Sequence, residues 1–398
     1  MKAGWEVRKL GEIGKVSMCK RVFKNQTSPT GEIPFYKIGT FGKEPDSYIS
    51  IELYREYRDK YSFPNNGDIL LSASGTIGRR VKYDGKPAYF QDSNIIWIDN
   101  DESLVLNEYL YHFYGFCEWQ PSRGATISRL YTTNLKKIPI PIPPLPEQRA
   151  IVAKLDAAFA GITQARANIE RNIQNAEELF QSKLNAVFAE RGEGWEKYSL
   201  QDVSQSITDG DHQPPPKTNK GIPFITISNI NKQSRKIDFS ETYYVAEEYF
   251  NKIKDTRKPQ KGDILYTVTG SFGIPVLLDF DKRFCFQRHI GLIKPNSLID
   301  SKFLYYWILS PSAYSQACKL AKGTAQKTVS LKSLRSMFVF VPQRGEQEKI
   351  AKQLDEFSSE IEFIRSVLNN KIRALDDLQQ SILQRAFSGQ LTENEVAV

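Results

Sequence analysis

Residues 141–156, PIPPLPEQRAIVAKLD, recur later in the chain as a diverged copy, and this repeat indicates how the chain is organised. Residues 340–355 read FVPQRGEQEKIAKQLD, so that Glu147-Gln148 returns 199 positions later as Glu346-Gln347. In both copies proline precedes the Glu-Gln pair, and apolar residues then recur every three or four positions. Proline suits the approach to a helix and its first turn. Each copy therefore predicts a helix that begins near its glutamate.

The segments before the two predicted helices are repeated as well. Gly67-Asp68-Ile69-Leu70 returns as Gly262-Asp263-Ile264-Leu265, and Phe90-Gln91 returns as Phe286-Gln287. Short apolar runs between Gly, Pro and Asp predict mostly strands, with a few short helices. The 398 residues therefore predict a duplicated α+β fold with a pseudo-twofold internal repeat. We expect mixed, mostly β globular segments at 1–146 and 191–345, and helical segments at 147–190 and 346–398.

Each predicted helix carries one narrow apolar stripe, called the seam below. Steps of three and four residues favour a coiled coil of two helices, each about 66 Å long. The pair could be parallel or antiparallel, and the alternative is that each helix packs only on its own globular segment. Asn172 and Lys371 interrupt the stripes, either as polar seam residues that fix register or as ordinary solvent-facing residues. The predicted seam consists of Ile151, Leu155, Ile162, Ile169, Leu179, Ile350, Leu354, Ile361, Leu368, Leu375, Leu378 and Ile382.

The composition argues against several classes of protein. No stretch approaches the roughly 20 apolar residues of a membrane helix, and the first residues lack the apolar run of a secretion signal, so we expect a cytoplasmic protein. The four Cys and three His are scattered, which predicts neither a disulfide framework nor a zinc site. No phosphate loop, dinucleotide fingerprint or nucleophile–base pattern is present, so no catalytic, cofactor or metal site is predicted. The recurring Asp68 and Asp263 are expected to cap turns.

The positive charge is concentrated in the globular segments. The chain has a formal net charge of +8, whereas 147–190 and 346–387 each contain more acidic than basic residues. Arg and Lys neutralise phosphates, Arg also pairs with guanine edges, and Gln pairs with adenine. Each candidate could instead be a solvated surface residue, and the Gly-rich turns at 75–78 and 270–273 could be simple tight turns rather than phosphate contacts. The candidate DNA-binding residues are Lys20, Arg21, Lys24, Thr76, Arg79, Arg80, Gln91, Arg123, Thr126, Arg129, His212, Gln213, Lys217, Ser271, Gln287, Arg288, His289, Gln326, Lys327 and Thr328.

The doubled pattern resembles the specificity subunit of type I restriction–modification enzymes. The resemblance rests on Gly67–Leu70 with Gly75–Gly78, on Pro141–Gln148, and on their second copies at 262–273 and 341–347, where the full proline run is missing. It implies two target-recognition domains, each of which reads half of a split DNA sequence. It also implies that the two helices form an antiparallel coiled coil, which sets the half-site spacing and docks two modification subunits.

The same resemblance implies where the chemistry would occur. The modification subunits would bind S-adenosylmethionine and methylate adenine at N6, a separate restriction subunit would use ATP and Mg²⁺, and this chain itself would be non-catalytic. Two alternatives remain open at this point. A stand-alone sequence-specific DNA-binding regulator would share the basic loops but would need no partner, and a nuclease would need an active site that the motifs do not show.

Overall fold

The computed structural model describes residues 2–119, 128–189, 192–213, 215–324 and 326–395. The chain divides into two compact units, each built from a globular part and from half of each long helix. Unit 1 comprises residues 1–169 and 370–398, and unit 2 comprises residues 170–369. No helix among the described residues is both long enough and apolar enough to cross a membrane.

The globular part of unit 1 is a set of small sheets flanked by short helices. Its main sheet has the strand order β2-β8-β5-β6, and a second sheet has the order β4-β3-β7, in which β3 and β7 are parallel. Strand β1 pairs with β9 at the entrance to the long helix. The elements are β1 Glu6–Lys9, α1 Leu10–Ile13, β2 Lys15–Ser17, β3 Ile33–Tyr36, β4 Tyr48–Ile49, α2 Ile51–Lys60, β5 Ile69–Ser72, β6 Arg80–Lys82, β7 Tyr89–Phe90, β8 Ile95–Asp99, α3 Asn107–Tyr114, α4 Thr132–Leu135, β9 Pro139–Ile142 and the first long helix, α5 Leu145–Ala189.

Unit 2 repeats this topology strand for strand. Its sheets have the orders β11-β17-β14-β15 and β13-β12-β16, with β12 and β16 parallel, and β10 pairs with β18 before the second long helix. The predicted duplication therefore extends to the strand order. The elements are β10 Glu196–Ser199, β11 Ser204–Asp209, β12 Ile222–Ile225, β13 Tyr243–Val245, α6 Glu247–Lys252, β14 Ile264–Thr267, β15 Pro275–Leu277, β16 Cys285–Phe286, β17 Ile290–Pro295, α7 Ser301–Leu309, α8 Pro311–Leu320, α9 Leu331–Ser336, β18 Phe338–Val341 and the second long helix, α10 Arg344–Ser388.

The Glu-Gln pair at the start of each long helix attaches the helix to its globular part through hydrogen bonds. The buried Gln148 side chain donates to the carbonyl oxygens of Pro143 and Leu104, both at 2.8 Å, and accepts from the Leu106 amide at 2.9 Å. Gln347 makes the equivalent three bonds in unit 2, to Pro342, Leu298 and Asp300. The preceding glutamates accept from tryptophan indoles, Trp5 in unit 1 and Trp195 in unit 2. One repeated dipeptide thus locks each helix start to its globular part.

The two long helices pack antiparallel in both units. In unit 2, Glu177 of α5 lies 3.6 Å from Arg365 of α10, and Phe180 stacks on Phe357 with ring centroids 6.2 Å apart, so the α10 number falls as the α5 number rises. In unit 1, Arg166 donates to Asp376. The long helices begin at Leu145 and Arg344, two residues before the predicted starts.

The helix segments also pack on the globular cores. Both predicted arrangements, pairing of the helices and packing of each helix on a globular part, therefore occur in the same structure. Ile151 and Leu155 join Leu383 and Phe387 in the core that contains Tyr109. In unit 2, seven buried core residues come from the long helices, namely Ala176, Phe180, Leu184, Phe188, Ala351, Leu354 and Ile361, and Val187, Ile350 and Phe357 pack against them. Each half-helix therefore buries one face against its partner helix and against the globular part.

The predicted seam is wrong at two equivalent positions. Leu179 and Leu378 are 55% and 47% exposed and face away from the packed stripe. Asn172 and Lys371 are exposed as well, whereas the next residues, Ile173 and Ile372, are partly buried. An α-helix turns once every 3.6 residues, so a strict seven-residue stripe drifts around its surface. Beyond residue 169 the packed stripe therefore passes through Ala176, Phe180 and Leu184.

Of the other predicted seam residues, Ile151, Leu155, Ile162, Leu354 and Ile361 are buried, and Ile169, Ile350, Leu368, Leu375 and Ile382 are partly buried.

Candidate nucleic-acid interface

Four loops of unit 1 meet beside the main sheet, and we call residues 18–24, 73–78, 91–94 and 128–130 the loop cluster of unit 1. The Ala73 amide donates to the Asn94 carbonyl at 2.7 Å, and the Leu130 amide donates to the Ala73 carbonyl at 2.8 Å. Ser74 Oγ donates to Asn94 Oδ1 at 2.8 Å. Residues that are far apart in sequence are thereby held within hydrogen-bonding distance.

The Gly-rich turn at the centre of the cluster is held by hydrogen bonds to the side chain of Ser72, which precedes it. Ser72, at the end of β5, accepts from the Arg79 amide at 2.9 Å and donates to the Thr76 carbonyl at 2.5 Å. Gly75 and Gly78 have φ of 66° and 83°, a region that glycine adopts without strain. The turn tip at Thr76 is exposed. Its backbone is therefore both fixed and accessible, which suits a contact to a phosphate or a base.

A basic cleft of about 420 Å³ opens within this cluster. The predicted residues Arg21, Lys24 and Gln91 all line it. Arg21 is paired with Asp92 at 2.8 Å, but its side chain is 60% exposed. The Asp92 side chain is only 17% exposed, so the Arg21 guanidinium reaches solvent while its carboxylate partner lies mostly inside the cluster.

Several predicted residues of unit 1 are engaged elsewhere in the unit. The Arg80 guanidinium lies 4.6 Å from the centroid of the Tyr111 ring, and Arg79 donates to the Phe41 carbonyl at 2.9 Å. Neither side chain lines the cleft. Lys20 Nζ lies over Tyr61, 4.8 Å from the ring centroid. Arg129 donates to the carbonyl of the cleft residue Ser93 at 3.0 Å, which places it at the border. Arg123 and Thr126 lie outside the described residues.

Unit 2 has a matching loop cluster, formed by residues 209–213, 268–273, 287–289, 322–324 and 326–329. The Val268 amide donates to the His289 carbonyl and the Val329 amide to the Val268 carbonyl, both at 2.9 Å. The Gly270 amide donates to the Lys327 carbonyl at 3.0 Å. Thr267 pins the Gly-rich turn as Ser72 does in unit 1, donating to the Ser271 carbonyl at 2.7 Å. The same three-way convergence thus occurs in both repeats.

Most predicted residues of unit 2 fall within its loop cluster. Ser271, Arg288, Gln326, Lys327, Gln213 and His212 are exposed, and Gln287, His289 and Thr328 are partly buried. Lys217 is the exception, because its Nζ lies over Tyr243, 4.6 Å from the ring centroid. The strand registers make Arg21 and His212 equivalent. Ser17 pairs with Trp97 as Thr208 pairs with Leu292. Arg21 lies four residues after Ser17, and His212 lies four residues after Thr208.

Some residues of the cleft could not be predicted from the sequence. Lys37 and Asn94 line the cleft of unit 1 although neither belongs to a repeated basic motif. Gln91 Oε1 accepts from the Ile38 amide at 2.9 Å, so only its NH₂ group is left to donate to a base. Only the folded chain brings the turn after β3 next to the turn after β7.

The acidic groups and thiols near the clusters have structural surroundings. Asp68 and Asp263 accept from the Asn65 and Gln260 amides at 2.7 and 2.8 Å, which confirms that they cap turns. Burial raises the pKa of both carboxyls. Burial also raises the pKa of the Cys19 thiol to about 12, so it is neutral near pH 7. Among the described residues, no group of three or more His, Cys, Asp and Glu side chains could hold a metal ion.

The repeated topology and the two loop clusters define a duplicated α+β fold with one candidate nucleic-acid interface in each repeat. The chain belongs to the family described as "Type I restriction modification DNA specificity domain", which matches residues 2–174 and again residues 192–374. A putative type I restriction enzyme specificity subunit of Haemophilus influenzae is 65% identical over 151 residues, which are 38% of this chain and 39% of that protein. The EcoBI specificity subunit of Escherichia coli is 27% identical over 295 residues, 68% of this chain and 62% of that protein. The chain thus matches less than two thirds of the length of each of these relatives.

A solved structure shares the fold over almost the whole chain. It is described as the structural basis of complex assembly and conformational transition of the type I R-M system. The TM-score is 0.74 at 20% identity, and the match covers 98% of this chain and 99% of the other.

Proposed function

We propose that this chain is the DNA-sequence-specificity subunit of a type I restriction–modification system. Each unit reads one half of a bipartite target through its loop cluster. The paired long helices set the gap between the half-sites and dock two modification subunits. This chain contributes recognition and no catalysis, and the complex works in the cytoplasm.

The observation that carries the proposal is the repeated loop cluster. Each unit holds three or more distant loops together through backbone hydrogen bonds, and each presents exposed cationic side chains and exposed or partly buried amide side chains beside a Gly-rich turn held by hydrogen bonds. Arg and Lys bind phosphates and fix the register, while Gln and Arg distinguish base edges. Two copies of such a surface in one chain suit a target with two separate halves.

The proposed partners supply the chemistry that this chain lacks. The modification subunits bind S-adenosylmethionine and transfer its methyl group to adenine N6. ATP and Mg²⁺ are used by a restriction subunit where one is present. The family match and the restriction–modification setting of the relatives support partner subunits of this kind, and the cofactors are part of the proposal.

Co-expression with the methyltransferase subunit tests the proposal. We expect mapping of methylated adenines to give one bipartite motif that disappears when this chain is omitted. A motif that persists without the chain, or failure of the chain to co-purify with the methyltransferase, contradicts the proposal. DNA binding without a methyltransferase partner would instead identify a stand-alone regulator.

A charge-matched pair of variants tests the cleft directly. R21Q/K24Q removes two cations from the cleft, and R8Q/R149Q removes two exposed cations on β1 and α5. Each lost phosphate contact lowers the slope of log K against log salt by about 0.9. We expect a slope reduced by up to about 2 for the first variant and little change for the control. Equal slopes for both variants would remove the cleft from the interface.

A further inference from the structure

We propose that Arg257 is a positioning residue that determines the specificity of the unit 2 half-site. It does so by fixing the loop 209–213, which carries His212 and Gln213. This inference rests on the proposed function. Arg257 is not adjacent in sequence to any predicted DNA-binding residue, and its importance comes from its contacts in the folded unit.

The Arg257 guanidinium closes the base of this loop. Its Nε donates to the Asp209 carbonyl at 2.9 Å, and its Nη2 donates to the next carbonyl, that of Gly210. Nη2 also lies 3.6 Å from the carboxylate of Asp211, whose side chain is only 15% exposed. Three consecutive residues of the loop are therefore held by one side chain. Charge-assisted and forked hydrogen bonds of this kind fix geometry more strictly than neutral single ones.

The fixed part of the loop is joined to the neighbouring recognition loop. The Asp211 amide donates to the Phe286 carbonyl at 3.0 Å, and the Arg288 amide donates to the Asp211 carbonyl at 3.1 Å. A Cβ on Gly210 would stand 2.0 Å from the Phe286 carbonyl oxygen, so the two strands approach as closely as glycine permits. Arg257 consequently sets the position of His212 relative to Arg288. A base contact is sensitive to such placement because bidentate pairs need defined distances and angles.

Unit 1 has no arginine at the equivalent position. The Asn65 and Gln260 amides make the same bond to Asp68 and Asp263, so these positions correspond. Three residues earlier, Arg257 corresponds to Ser62. In unit 1 the corresponding loop is held differently, by the ion pair between Arg21 and Asp92 and by Tyr89 Oη, which donates to the Lys20 carbonyl at 3.2 Å. The two half-sites therefore depend on different fastenings.

The experiment compares R257Q with R335Q in the complex with the methyltransferase subunit. Arg335 also donates to a backbone carbonyl of unit 2, that of Ile207, and is a matched control for loss of such an arginine. Methylated adenines are mapped for the wild type and for both variants. Exchange of residues 1–146 for those of a relative changes the half-site that unit 1 reads, so the half-site that stays unchanged belongs to unit 2.

We expect R257Q to lower the preference for the correct base by about tenfold at one or more positions of the unit 2 half-site, within the range that single base contacts provide. The other half-site and the gap stay unchanged, and R335Q keeps the wild-type motif. A merely structural role would lower total methylation without changing the motif, so the base preference separates the two roles.

The inference is overturned if folded R257Q keeps the full motif, or if both half-sites relax equally. R257K decides the matter if R257Q does not fold. It keeps the charge beside Asp211 but cannot bond two carbonyls in a fork, so it should relax the same half-site, and a wild-type motif in R257K overturns the inference. A wild-type complex without any bipartite motif would refute the proposed function itself, which is a distinguishable result.

Discussion

Replacing Gln148 by leucine should destabilise unit 1 strongly, although leucine is close to glutamine in size. The amide donates to two carbonyl oxygens and accepts from one backbone amide, and the residue is completely buried. Leucine leaves these three backbone groups without a partner. At about 1 kcal/mol for each buried group that loses its hydrogen bond, the expected loss is about 3 kcal/mol in the free energy of unfolding of unit 1.

The neighbouring Arg149 provides the control for this variant. It occupies the same helical turn but is exposed, so R149L should change the free energy of unfolding by less than about 0.5 kcal/mol. Hydrogen exchange of the full chain in increasing urea reports the two units separately, because α5 amides before residue 169 belong to unit 1 and the later ones to unit 2. Q148L should open unit 1 and leave unit 2 intact, and Q347L should do the reverse. Equal protection in Q148L and R149L would refute the view that the repeated Glu-Gln pair fastens each helix start.

Three further results follow from the structure and the proposed function. His112 Nε2 lies 2.8 Å from Asp156 Oδ1, and burial lowers the pKa of this histidine. Because its folded pKa lies below the unfolded value of about 6.5, the free energy of unfolding should fall as the pH drops through that value, and this part of the fall in Tm should disappear in H112Q. A seven-residue insertion in α5 and a matched one in α10 lengthen the helix pair by about 10 Å, so methylation mapping should show a gap longer by about one to three base pairs with both half-sites unchanged; altered bases with the original gap would contradict the spacer role. Exchange of residues 1–146 for those of a relative should change one half-site only, and a change in both would exclude modular recognition.

Much of the fold could be predicted because the repeat is written into local sequence. Proline before Glu147 and before Glu346, followed by apolar residues at helical spacing, predicts the starts of the long helices to within two residues. The recurring Gly-Asp turn predicts β5 and β14 and their capped starts. The seam was predictable only in part, since Leu179 and Leu378 fit a strict heptad but the 3.6-residue turn carries them into solvent.

The candidate interface depended on contacts that no local pattern encodes. The loops that carry cations and amides can be identified from the sequence alone, because residue type and repeat position are readable without a structure. Which of these side chains lie together is known only from the folded chain. It removed Arg80 from the cleft by packing it on Tyr111, placed Lys37 in the cleft, and put Arg257 at the base of a loop about 45 residues away. The physical reason is that hydrogen bonds and burial between distant segments, such as those joining the Ala73, Asn94 and Leu130 backbones, form only once the sheets have closed.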